Sequence, residues 1–124
     1  MDLARINEEF RQAKQQFSYV ELYPTSDGKV YAKAALQPSE QLYVVSIYFP
    51  DDYPNSMPKI FVDKPAVDTW QHRYTAGNIC YLYPPMWNPG SHNLSFVIAR
   101  AAKWLSKYEI WKIKKVWPGA GIAH

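Results

Sequence analysis

The sequence has one cysteine in 124 residues. An internal disulfide is therefore excluded, and a lone thiol fits a reducing compartment such as the cytoplasm. No apolar run approaches the length of a membrane span. Met1-Asp2-Leu3-Ala4-Arg5 lacks the charged and then apolar pattern of a signal peptide. One cysteine and three scattered histidines show no metal-ligand spacing, so neither a metal nor another cofactor is expected. There is no internal repeat and no low-complexity segment. The length suits a single domain over residues 1–124 and leaves little room for a second.

Apolar and aromatic residues are plentiful, at 48% and 16%, enough to supply a compact core. The net charge is only +3, but it is unevenly spread. From Arg100 onward six Lys/Arg face the single acid Glu109, whereas the preceding residues hold eight bases and ten acids. A basic end on a near-neutral body suits either an acidic partner surface or a solvated face. A nucleic-acid binder built on this end and its tryptophans would lose affinity steeply with salt. No recognised nucleic-acid module supports that reading.

Leu3, Ile6, Phe10, Ala13 and Phe17 recur at helical spacing, which predicts a helix from Asp2 to Phe17 with Asp2 as N-cap. Glu8, Glu9, Arg11, Lys14 and Gln15 fill its other face. Strand-like runs follow at Tyr19–Tyr23, Lys29–Leu36 and Leu42–Phe49, with Asp27-Gly28 as a hairpin signal. Pro50, Pro54 and Pro58 then forbid regular structure. Lys59–Val62 is a fourth short strand, and 63–71 is a polar connection. Asn93 can cap a second helix, with Leu94, Val97, Ile98, Ala101, Leu105 and Tyr108 as its apolar stripe and Trp111 extending it. Arg100, Lys103, Ser106 and Lys107 are expected to point away from it. Trp117-Pro118-Gly119 ends any helix. The layout is α+β: a helix, a four-stranded antiparallel meander, an irregular loop and a second helix.

Cys80 lies in that loop, in Tyr74-Thr75-Ala76-Gly77-Asn78-Ile79-Cys80-Tyr81-Leu82. It sits between a glycine turn and the aromatic, proline-rich Tyr83-Pro84-Pro85-Met86-Trp87-Asn88-Pro89-Gly90. A side chain so placed is held firmly yet still reached, and its thiolate can attack a carbonyl. The ordinary alternative is a small buried hydrophobe.

Tyr53-Pro54-Asn55-Ser56-Met57-Pro58-Lys59, His72, Gly77-Asn78-Ile79-Cys80-Tyr81 and Trp87-Asn88-Pro89 occur in that order. They resemble the Tyr-Pro-x-x-Pro-Pro-Lys, His-Pro-Asn, Gly-x-Ile-Cys-Leu and Trp-Ser-Pro motifs of the ubiquitin-conjugating enzyme family. The resemblance covers about Phe49 to Leu105. It implies the ubiquitin-conjugating-like fold, Cys80 as a thioester carrier, and His72 and Asn78 as active-site support. His72-Arg73-Tyr74 departs from the pattern: the proline and the asparagine are missing. The family associates that asparagine with stabilising the oxyanion or ordering the loop, and the sequence assigns no residue to this role. Trp104 to Trp111, Trp117-Pro118-Gly119 and the final His124 resemble short bacterial members found in anti-phage operons of the CBASS type. That resemblance implies a particular partner, the cyclic-oligonucleotide synthase (a nucleotidyltransferase) of the same operon. Its C-terminus would be carried on Cys80 and passed to an acceptor lysine, with no nucleic acid or membrane involved.

Such a carrier needs a reachable thiol, shielding from water and donors for a developing oxyanion. Backbone N–H groups of Gly77–Cys80 or an amide side chain are the candidate donors, and Tyr81, Tyr83 and Trp87 the candidate shield. His72 holds the loop, acts as a base, or is a satisfied core histidine. Two other functions compete. A thiol hydrolase would use Cys80 with His72 or His92 and needs a third orienting group, which the sequence does not mark. A non-catalytic binding module of the same fold is the other. The proline turn is expected to brace the Cys80 loop, and residues after Tyr108 are expected to dock on the domain.

Overall fold

The computed structural model describes residues 1–69 and 71–119. Helix α1 spans Leu3–Gln16, strands β1 Val20–Pro24, β2 Val30–Leu36, β3 Tyr43–Tyr48 and β4 Lys59–Lys64 follow, and helix α2 runs Leu94–Lys114. A single 3₁₀ turn, Pro84–Met86, lies between β4 and α2. Asp2 caps α1 by accepting from the Arg5 N–H at 3.0 Å. Asn93 caps α2 by accepting from the Phe96 N–H at 2.9 Å. Both caps satisfy a backbone donor that the helix itself cannot.

The strands form one antiparallel sheet in the order β1-β2-β3-β4. On one face Ala32, Ala34, Leu36, Tyr43, Val45, Ile47 and Ile60 are buried, joined by Leu94, Val97, Ile98, Ala101 and Leu105 of α2. The period-two alternation of the strands and the 3.6-residue stripe of α2 thus meet in one core. On the other face an aromatic ladder crosses the sheet. Tyr23 stacks on Tyr31 at 5.6 Å, Tyr31 on Tyr48 at 5.1 Å, and Phe61 meets Tyr48 edge-on at 5.7 Å.

Glu9 departs from its expected place on the solvent face of α1: it is 6% exposed. Its carboxylate accepts from the Tyr53 hydroxyl at 2.5 Å, the Leu94 N–H at 2.8 Å and Arg5 Nε at 2.5 Å. Arg5 also donates to the carbonyls of Pro89 and His92. One carboxylate thereby joins α1, the proline turn and the start of α2. Leu3, assigned to the apolar face, is 42% exposed instead. Glu9→Ala strips partners from a buried hydroxyl, a helix N-terminus and a guanidinium. The expected loss is about 3 kcal/mol or more in urea unfolding, and Glu9→Gln should cost less because it keeps an acceptor oxygen.

α2 ends as expected before Trp117, with Lys115 in the left-handed conformation and its N–H bonded to the Trp111 carbonyl. The tail docks as far as it is described. Trp111 stacks on Tyr108 at 5.9 Å, and Trp117 packs against His72 and Trp104. His124 and its neighbours from residue 120 on lie outside the described residues. Among those described, no helix is long and apolar enough to cross a membrane.

Candidate active site

The Cys80 loop is less irregular than its sequence suggests. Arg73 and Ile79 form an isolated antiparallel bridge. It is flanked by hydrogen bonds from Tyr74 N–H to the Asn78 carbonyl at 2.9 Å and from Cys80 N–H to the His72 carbonyl at 2.7 Å. Gly77 closes the small hairpin at φ 98°, a left-handed value that costs glycine little and a side chain more. Ile79 N–H bonds the Ile60 carbonyl at 2.9 Å, fixing the hairpin to β4.

The proline turn braces the far side. The Tyr81 hydroxyl donates to the Pro58 carbonyl at 2.6 Å, and Trp87 Nε1 donates to the Pro54 carbonyl at 2.8 Å. The brace acts on backbone carbonyls, so the sensitive side chain is that of Tyr81. Tyr81→Phe leaves a buried carbonyl short of its donor, which costs about 1–3 kcal/mol. Amide exchange at Gly77–Leu82 should be faster in this variant than in wild type; equal exchange rates would show that the brace does not hold the loop.

His72 holds the loop through its backbone. Its carbonyl accepts both the Cys80 N–H and Trp104 Nε1, the latter at 3.1 Å. His72 is itself in the left-handed region at φ 59°, an uncommon state for a residue with a side chain. Its ring stacks on Trp117 at 4.5 Å and 26°. Asn78 is buried and lines a neighbouring groove with Met57, Pro58 and Tyr74 rather than the Cys80 cavity. His92 is turned to other work: its Nδ1 accepts the Asn88 N–H and its ring stacks on Phe96.

The cavity at Cys80 is lined by His72, Tyr81, Arg100, Lys103, Trp104, Lys107 and Trp117. Arg100, Lys103 and Lys107 were expected to face away from the core. They do, but the Cys80 hairpin lies against that same side of α2, so they wall the cysteine. Arg100 Nε donates to the Tyr81 carbonyl at 2.8 Å. Burial, with repulsion from Lys103 and Arg100, pushes the Lys107 amine below its ordinary range. The shield differs from expectation in the same way. Tyr83 is 51% exposed and Trp87 packs on Tyr53, while Trp104 and Trp117 close the cavity. Cys80 is 4% exposed, so the thiol is covered where the sequence suggested a reachable one. No carboxylate is among the described residues lining the cavity.

Burial pushes the Cys80 thiol up, and the Tyr74 hydroxyl, acting as a hydrogen-bond donor, partly offsets this. The hydroxyl is itself buried. Burial and the adjacent Cys80 raise the Tyr74 hydroxyl to about 12. Tyr74 stands where the resemblance looks for an asparagine. Sequence reading missed it because a tyrosine in a loop reads as packing. The signal available was its place two residues after His72.

A helix, a four-stranded meander, a cysteine hairpin beside a proline turn and a closing helix make up the ubiquitin-conjugating fold. A ubiquitin-conjugating enzyme E2 from Plasmodium falciparum has this fold, with 24% sequence identity and a TM-score of 0.58 over 83% of this chain and 96% of that one. The Vps23 UEV, solved in a complex with ubiquitin, is matched at 16% identity and a TM-score of 0.49, over 85% of this chain and 95% of that one. No curated protein sequence matches the chain. The chain belongs to the family of Type II CBASS E2 proteins, whose sequence profile matches residues 9–124. Membership gives it a ubiquitin-conjugating-like role in CBASS, in association with that operon.

Proposed function

We propose that Cys80 accepts the C-terminal acyl group of the operon's cyclic-oligonucleotide synthase as a thioester and yields it to a lysine amine. The observation that carries this reading is the setting of the thiol. The chain's one sulfhydryl is pinned by a backbone hairpin at a cavity with cationic and indole walls. A thioester lacks much of an amide's resonance, so an amine displaces it without further activation. The charge on activating the acyl group falls to an upstream step. The basic wall suits an incoming acidic segment or a carboxylate-bearing acyl donor. The absence of a carboxylate among the described lining residues disfavours a hydrolase, whose base needs orienting. His92, engaged with Asn88 and Phe96, is not placed to serve as that base.

The burial of Cys80 favours one competing reading, a binding module whose cysteine only fills space. Intact mass spectrometry separates the two after co-expression with the operon's other proteins. A carrier shows an adduct of the partner's mass that small thiols remove, together with a thiol-resistant amide on the acceptor. Absence of both supports the binding module.

A further inference from the structure

We propose that Tyr74 is a catalytic residue of the Cys80 site, its neutral hydroxyl donating to Sγ whenever the sulfur carries negative charge. This rests on the reading of Cys80 as an acyl carrier. The placement follows from the hairpin. In an antiparallel pair, directly opposed residues share a face and neighbours along the strand alternate. The Arg73–Ile79 bridge therefore puts His72, Tyr74, Asn78 and Cys80 together on the other face. Tyr74 is diagonal to Cys80, within the reach of a long aromatic side chain.

Three backbone donors of the hairpin are already engaged. The N–H groups of Gly77, Ile79 and Cys80 are committed to the carbonyls of Tyr74, Ile60 and His72. On the hairpin's own face the Tyr74 hydroxyl is a buried donor beside the sulfur. Catalytic hydrogen bonds often tighten only as charge develops, and a donor to an anion is about twice as strong as one to a neutral group.

In the transfer step an amine nitrogen attacks the thioester carbon. The C–N bond forms, the C–S bond breaks, and the electron pair leaves on Sγ. The proton lost by the amine goes to solvent, which also reprotonates the thiolate when it is not reloaded. Tyr74 keeps its own proton throughout, since burial and the adjacent Cys80 push its hydroxyl up to about 12. It is a donor to the leaving sulfur and not a base. The same bond stabilises the thiolate that first attacks the acyl donor.

The test uses the whole chain and two small probes. In Tyr74→Phe the midpoint of the pH profile for iodoacetamide alkylation of Cys80 should rise by about one unit. The protein is then loaded with a synthetic peptide thioester, and aminolysis by free lysine should slow roughly tenfold. Site-specific 3-fluorotyrosine at position 74, a stronger donor of nearly the same shape, should move the midpoint down. Near-UV circular dichroism checks that the variants keep the fold. An unchanged midpoint in both variants overturns the proposal, whatever happens to transfer. A wild type that cannot be loaded overturns the carrier reading, while the midpoints still decide whether Tyr74 acts on the sulfur.

Discussion

Trp117→Ala is expected to raise the rate at which iodoacetamide labels Cys80 by roughly tenfold to a hundredfold. The indole lines the cavity over the thiol and is held there by His72 at 4.5 Å and Trp104 at 5.2 Å. Docking a ring of this size contributes about 1.5–3 kcal/mol, which is the range of opening equilibria that sets this factor. Two effects act in the same direction. Burial holds the thiol above its ordinary pKa, so at neutral pH little thiolate is present. Removing the cover returns the thiol toward its ordinary value, and the reactive fraction rises with the accessibility. Trp111→Ala is the control. Trp111 stacks on Tyr108 but does not line the cavity, so this variant should melt earlier yet label near the wild-type rate. Equal labelling of Trp117→Ala and wild type would place the cover elsewhere.

The second large effect is at Cys80 itself. Cys80→Ala should abolish the thiol-labile adduct completely, because the sequence offers no other sulfhydryl. Cys80→Ser keeps size and shape and should trap an oxyester that resists small thiols and yields slowly to amines. Cys80→Lys would place an amine beside Arg100, Lys103 and Lys107, where like charges and burial favour its neutral, nucleophilic form, so it should trap the acyl group as an isopeptide amide. The measurement is intact mass with and without reductant on material co-expressed with the operon's proteins. Persistence of the adduct in Cys80→Ala would assign the linkage to another residue.

Most of the architecture was legible because apolar spacing reports it directly. Both helices, all four strands and both N-caps follow from periodicity and from Asp2 and Asn93. What escaped were side chains whose partners come from distant segments. Glu9 read as solvent-facing because helical spacing assigns carboxylates to the polar face; its partners Tyr53 and Leu94 are remote in sequence. Arg100, Lys103 and Lys107 are indeed on the polar side of α2, but periodicity does not say that the Cys80 hairpin shares that side. Tyr81 was legible as a neighbour of Cys80 but not as a strut to Pro58. Trp117 was read correctly as too apolar to leave in water. That it would lie over the cysteine required the left-handed turn at Lys115, which no residue type there announces.

The carboxylate of Glu9 also constrains the order in which the chain can assemble. Its two neutral donors lie 44 and 85 positions downstream. As the chain leaves the ribosome, α1 can form early, but it must hold this carboxylate in water until the first residue of α2 emerges. Contacts of such long sequence separation close late and slow folding. The joint between α1, the proline turn and α2 therefore closes only once the first residue of α2 is in place.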